Sequence, residues 1–193
     1  EEEFKKQDIS EQLALMIILA AKHGISYLKI WPDATEEKIR IKVRDAFDIY
    51  LKGNLTEIYD SPFLIEGVSK TIAEIKANEL FDKAQLEKLT PDNKLASSEI
   101  KAAYEQAKEG MPTNPDLVAK VIQKEAFLKE YVNQNNRDAV KKAGIARKEG
   151  DPVIRHAFVA GDVWLYDEYL DIPEYPYVDY RFEPGPIYQV PLI

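Results

Sequence analysis

Cysteine is absent from the 193-residue sequence. That excludes disulfides, thiolate zinc sites, iron–sulfur ligation and a cysteine nucleophile. His23 and His156 are the only histidines, too few for a poly-histidine metal site within one chain. The eight glycines form neither a phosphate loop nor a dinucleotide fingerprint. Basic charge is in deficit: 26 Lys and Arg stand against 34 Asp and Glu, a net charge of −8 at pH 7. This balance argues against a general polyanion binder and leaves room only for a local basic patch.

Long apolar runs are missing as well. The longest, LALMIILAA from Leu13 to Ala21, covers about half of the roughly 20 residues that a spanning helix requires. No transmembrane segment is therefore expected. The residues before the run are net acidic, unlike the basic start of a secretory signal. The run reads instead as a helix buried on most of its sides. The first residue is not methionine, so a removed presequence is compatible with the sequence. A soluble protein of cytoplasm, organelle matrix, periplasm or virion fits the lack of cysteine equally well.

What is present is 45% hydrophobic residues, an ordinary share for a globular protein and enough for one domain with an appendage. Residues 1–150 read as a helical domain. Asp8 and Glu11 have capping-box spacing, and Gly24 is placed to end the helix they start. Residues 25–31 are short and apolar and read as an extended connection or a stub of strand that Pro32 stops. Ile39, Val43, Ala46, Phe47, Tyr50 and Leu51 share a face of a second helix ending at Gly53. The alternation of Ile39, Ile41 and Val43 offers a short strand as the alternative.

Ser61–Pro62, Thr90–Pro91–Asp92 and Asn114–Pro115–Asp116 resemble three further helix starts, with proline at the first helical position. The stripe from Leu64 to Leu89 would follow the first, and Leu95 to Ala107 the second. Val121, Ile122, Leu128 and Val132 would follow the third. A weaker helix is expected over 136–149, and Asp151–Pro152 opens a final short one that Gly161 closes. The expected fold class is all-α: a bundle-like domain of about six helices plus one short helix, followed by an extended tail.

Residues 151–193 differ in composition. They contain no lysine, six of the eleven prolines and nine of the twenty aromatics. Disordered chains lack aromatics because they cannot bury enough apolar surface to offset ordering entropy. Tyrosine and tryptophan pair a large apolar area with a polar edge and recur at protein interfaces. The segment therefore reads as a strap. Its expected partner contacts are Trp164, Tyr166, Tyr169, Tyr175, Pro176, Tyr177, Tyr180, Phe182 and Tyr188, with its own domain as the other surface it could cover.

Sites for chemistry are weak. His156 with Asp162, Asp167 or Glu168 could act as a general base, but no serine in a nucleophile-elbow context and no oxyanion-hole glycine turn accompany it. Asp162, Asp167, Glu168 and Asp171 could gather around a hard cation, yet they lack calcium-loop spacing. Basic residues outnumber acidic ones over 120–148, where Lys141, Lys142, Arg147 and Lys148 could meet phosphates.

The leading expectation is a non-catalytic structural or assembly subunit of a larger complex, anchored on other protein subunits through the tail and needing no cofactor or metal. A nucleic-acid-associated accessory factor using 120–148 is the first alternative. An enzyme with a site around His156 is the second.

Overall fold

The computed structural model describes residues 9–33, 38–91, 119–182 and 187. Its elements run α1 (Ile9–His23), β1 (Ile25–Asp33), β2 (Lys38–Arg44), β3 (Ile49–Leu51), β4 (Phe63–Thr71), α2 (Ile72–Lys76), α3 (Lys83–Leu86), β5 (Lys120–Tyr131), α4 (Arg137–Lys142), β6 (Pro152–Ala160), β7 (Val163–Leu170) and β8 (Tyr177–Arg181). The fold is mainly β and the all-α expectation is overturned. The strands form a three-stranded sheet ordered β2-β1-β8 and a five-stranded sheet ordered β3-β4-β5-β6-β7. Two compact units are present: residues 1–64 with 172–193, and residues 65–171. The composition boundary at residue 150 falls inside the second of these.

In the first unit, α1 forms as expected. Gly24, at φ +83°, donates its N–H to the Ala20 carbonyl and ends the helix, in the left-handed conformation that glycine adopts without a Cβ penalty. The capping pair expected at Asp8 and Glu11 cannot be followed, since Asp8 lies outside the described residues. β1 is antiparallel to both neighbours, with Leu28 opposite Val43 on β2 and Val178 on β8. Proline does not stop it. Ile30 N–H bonds the Pro176 carbonyl, so even-numbered residues of β1 point their N–H groups towards β8. Pro32 falls past the end of that ladder and removes no bond. Met16 of α1 packs on Leu28 and Val43, beside Leu19, Ile30 and Ile41. The opposite face of the sheet carries Tyr27, Lys29 and Tyr177, all buried.

The second expected helix is instead β2, a 3-10 turn at Ala46–Asp48 and β3. Asp45 caps the turn by accepting the Phe47 N–H, which breaks the helical period expected to run on through Tyr50. Ser61–Pro62 opens no helix either. The Ser61 hydroxyl donates to the Phe63 carbonyl and accepts the Lys52 N–H, and the chain then enters β4.

The second unit is an antiparallel ladder flanked by short helices. Phe127 of β5 stands opposite His156 of β6, which stands opposite Glu168 of β7. β5 and β6 replace the helices expected after Asn114 and Asp151. Gly161, expected to close a helix, lies with Asp162 in the two-residue turn between Ala160 and Val163, a tight hairpin connection. A bulge between Phe158 and Val159 shifts the β6–β7 register. One core joins Ile72, Ile75, Phe81, Leu86, Val121, Ala160 and Leu165. A second joins Val132, Val140, Ile145 and Val153, with Val140 supplied by α4, the short remnant of the helix expected over 136–149. The helix expected after Thr90, carrying Leu95 to Ala107, lies almost wholly outside the described residues.

Candidate functional site

The aromatic strap expected over 151–193 is not one surface. Trp164, Tyr166 and Tyr169 belong to β7 in the second unit, whereas Tyr175, Pro176, Tyr177, Tyr180 and Phe182 belong to the first. Tyr188 lies outside the described residues. Tyr175 and Tyr177 are buried in the first unit. The Tyr175 hydroxyl donates to the Ser61 carbonyl at 2.7 Å, and Tyr177 sets its ring 5.5 Å from the Lys29 ammonium. Pro176 serves the β1 ladder through its carbonyl. Tyr180 and Phe182 are exposed, at 37% and 60%.

The register explains where β8 points. Leu28 and Ser26 face α1, since Leu28 packs on Met16 and the Ser26 hydroxyl donates to the Met16 carbonyl. Val178 and Tyr180 stand opposite these two residues and therefore share the α1 side of the sheet. Phe182 continues the alternation. On α1 itself, only Met16 and Ala20 are buried. Leu13, Leu15, Ile17 and Ile18 are 42%, 41%, 48% and 61% exposed. The run expected to be covered on most sides therefore leaves most of its large side chains in solvent. The first unit thus presents Leu13, Leu15, Ile17, Ile18, Val178, Tyr180 and Phe182 on one side of one sheet. The signal was in the sequence: LALMIILAA is more apolar than a helix needs to cover a three-stranded sheet.

The second unit offers two polar clusters, and in both the groups are engaged with one another. His156 Nε2 lies 3.0 Å from Glu125 Oε1. Its ring stacks on Phe127 with centroids 4.5 Å apart and meets Phe158 and Tyr166 edge-on. The Tyr166 phenol donates to Glu168. Burial first, and that bond second, push its pKa up to about 12, so it stays protonated at neutral pH and is no base. This arrangement holds and orients the His156 ring between Glu125 and three aromatic rings.

On the opposite face of the sheet, Arg155 grips Asp167 through two hydrogen bonds of 2.7 and 2.6 Å and lies 5.8 Å from the Trp164 ring. The bond to Asp167 raises the guanidinium pKa further above its usual value. Tyr169 and Asn136 both donate to Glu130. Burial and that carboxylate raise the pKa of the Tyr169 phenol. A cleft of about 610 Å³ opens between α4 and β6–β7, lined by Asn136, Lys142, Arg155, Asp167, Glu168 and Tyr169 among others.

The acidic residues expected to gather round a cation are dispersed: Asp167 pairs with Arg155, Asp171 with Arg147, and Asp162 occupies the hairpin turn. Among the described residues no group of three or more ligands could hold a metal ion. The basic stretch is not a helical stripe. Lys120, Lys124 and Lys129 lie on a strand, where odd and even positions face opposite ways. Lys141 and Lys142 end α4, and Lys148 is exposed in the loop beyond it. No helix among the described residues is long and apolar enough to cross a membrane.

No family model matches the sequence, and no curated protein matches it either.

Proposed function

We propose that this chain works by binding protein, as a non-catalytic subunit that docks through the outer face of α1 and the exposed side chains of β8. The observation that carries this reading is that α1 turns Leu13, Leu15, Ile17 and Ile18 to solvent while its core contacts use Met16 and Ala20. Isolated exposed apolar residues need no explanation, but contiguous ones mark an interaction surface. Tyr180 and Phe182 add aromatic rings of the type enriched at interface centres. Among the described residues, the anchoring role expected of the tail narrows to Val178, Tyr180 and Phe182, since Tyr175 and Tyr177 are buried in the first unit.

The test is native mass after gentle isolation, comparing the chain with Ile17→Asp and Phe182→Ser. The expected result is an assembly heavier than the 22.1 kDa chain, with each substitution weakening association by about 30-fold, the effect of a hot-spot residue, and leaving circular dichroism unchanged. A monomer at every concentration, indifferent to both substitutions and gaining no partner from its source, would overturn the reading.

A further inference from the structure

We infer that the occupant of the α1 face is the α1 face of a second copy, packed antiparallel about a twofold axis. This rests on the docking reading above and specifies its partner. The outward stripe of α1 is Ser10, Leu13, Ala14, Ile17, Ile18 and Ala21, all exposed. Its alternating steps of four and three residues between Ser10, Ala14, Ile17 and Ala21 match a coiled-coil seam. The stripe also has a property that a surface built for an unrelated partner need not have. Reversing the helix pairs Ser10 with Ala21, Leu13 with Ile18, and Ala14 with Ile17, all about one midpoint between Leu15 and Met16. A twofold interface requires such self-complementarity. Large side chains then meet at Leu13 and Ile18, large meets small at Ala14 and Ile17, and small residues at both ends let the backbones approach.

Charge selects the same direction. Glu11 and Lys22 are both exposed and stand eleven residues apart, three turns along one flank of the stripe. In an antiparallel pair like flanks meet, and Glu11 lies within about 3 Å of axial rise of Lys22 on the second copy. The contact occurs twice per dimer. A parallel pair would bring unlike flanks together and leave Glu11 of one copy away from Lys22 of the other. A lipid surface fits less well, because interfacial helices carry several Lys or Arg on their polar face and α1 has Lys22 alone in a chain of net charge −8. One helix of 15 residues buries less than the roughly 800 Å² per partner of a standard interface. The dimer is therefore reversible, with Val178, Tyr180 and Phe182 on the same side of the sheet as the further contact area.

Sedimentation equilibrium of the full chain, in wild-type form and as Glu11→Lys, Lys22→Glu, the two together, and Ile17→Asp, tests this. The expected result is a concentration-dependent species of twice the chain mass. Each single charge reversal should weaken it about tenfold, because two attractive pairs become repulsive, and the double reversal should restore it. Ile17→Asp should leave a folded monomer. A dimer indifferent to these changes overturns the inference, as does a double reversal no better than the singles. A monomer in which an Ile17→Cys thiol is freely labelled overturns the second copy alone and leaves the docking face standing. A monomer in which that thiol is protected overturns both. Stable binding to neutral lipid vesicles, lost in Ile17→Asp, also overturns both.

Discussion

The two units each place a helix on an antiparallel sheet, and the two helices treat their outer faces differently. In the second unit, α4 turns Val140 inward onto Val132, Ile145 and Val153, and its outward residues are Arg137, Asp138, Lys141 and Lys142. In the first, α1 turns Met16 inward onto Leu28 and Val43, yet its outward residues are Leu13, Ala14, Ile17 and Ile18. Both inner faces do the work of folding. An amphipathic helix needs only one apolar stripe for that; the second stripe of α1 adds nothing to the core. In the second unit Arg155, Asp167, Glu130, Asn136 and Tyr169 engage one another. Asn136, Arg155, Asp167 and Tyr169 of this group line the cleft beside α4.

The comparison breaks most sharply on the two helix faces. Val140→Asp buries an unpaired charge and should cost about 4 kcal/mol or more, visible as loss of the second unit's transition in urea. Ile18→Asp on α1 should change stability by less than about 0.5 kcal/mol when measured on dilute chain, as at exposed sites in general. Equal costs would show that the outer face of α1 is covered within the chain.

The tail tyrosines sharpen the contrast inside the first unit. Tyr175→Phe removes a buried hydroxyl bonded to the Ser61 carbonyl and should cost about 1 kcal/mol in chemical denaturation. Tyr180→Phe should cost nothing measurable. Asp167→Asn ranks next. The Arg155–Asp167 pair is about one-third exposed on each side, so solvent screening limits the loss to under about 1 kcal/mol.

The smallest effect is at the Thr71–Glu74 capping box at the start of α2. The Thr71 backbone N–H, and then its hydroxyl, hold the Glu74 carboxyl below its ordinary value of 4.5. A lowered carboxyl pKa contributes stability that is fully present above the ordinary value and is lost as pH falls through the lowered one. Thr71→Ala should therefore destabilise slightly at neutral pH, and the difference from the parent should shrink on acidification well below pH 4.5 as the hydroxyl–carboxylate bond loses its charge, leaving the part due to the capped Glu74 N–H. A pH-independent difference would show that the cap owes nothing to the carboxylate charge.

α1 and its glycine stop were legible because a long apolar run between an acidic start and Gly24 satisfies several helix rules at once. β2 announced itself through Ile39, Ile41 and Val43, but Phe47 and Tyr50 extended a false helical period across the Asp45-capped turn. β4 and β5 were hidden by their own polar residues: Glu66 and Gln123 occupy inward, buried positions, so the period of two is interrupted where it should be strongest. With apolar groups on both faces of β5, Val121, Ile122, Leu128 and Val132 matched a helix by coincidence. β6 stands where a short helix is expected, although PVIRHAFVA is rich in β-branched and aromatic residues and the Gly161–Asp162 pair after it is a hairpin signal. Proline starts deceived repeatedly, since Pro62 and Pro152 serve equally well at the entry to a strand.

The site was partly legible for a related reason. Aromatic enrichment located Tyr180 and Phe182, but composition cannot separate rings that finish a core, such as Tyr175 and Tyr177, from rings that remain outside it. The excess of apolar residues in LALMIILAA was the stronger clue. Its meaning is masked because burial on most sides is the usual fate of such a run.

The central claim is that the outer face of α1 meets protein and the α4 face does not. Site-specific photo-cross-linking in the native source, with the reactive group placed at Ile18 in one chain and at Lys142 in another, tests it most directly. The account predicts a discrete protein adduct from Ile18, formed with a second copy, and none from Lys142. Adducts from Lys142 alone, or an Ile18 probe that reacts only with solvent, would contradict it.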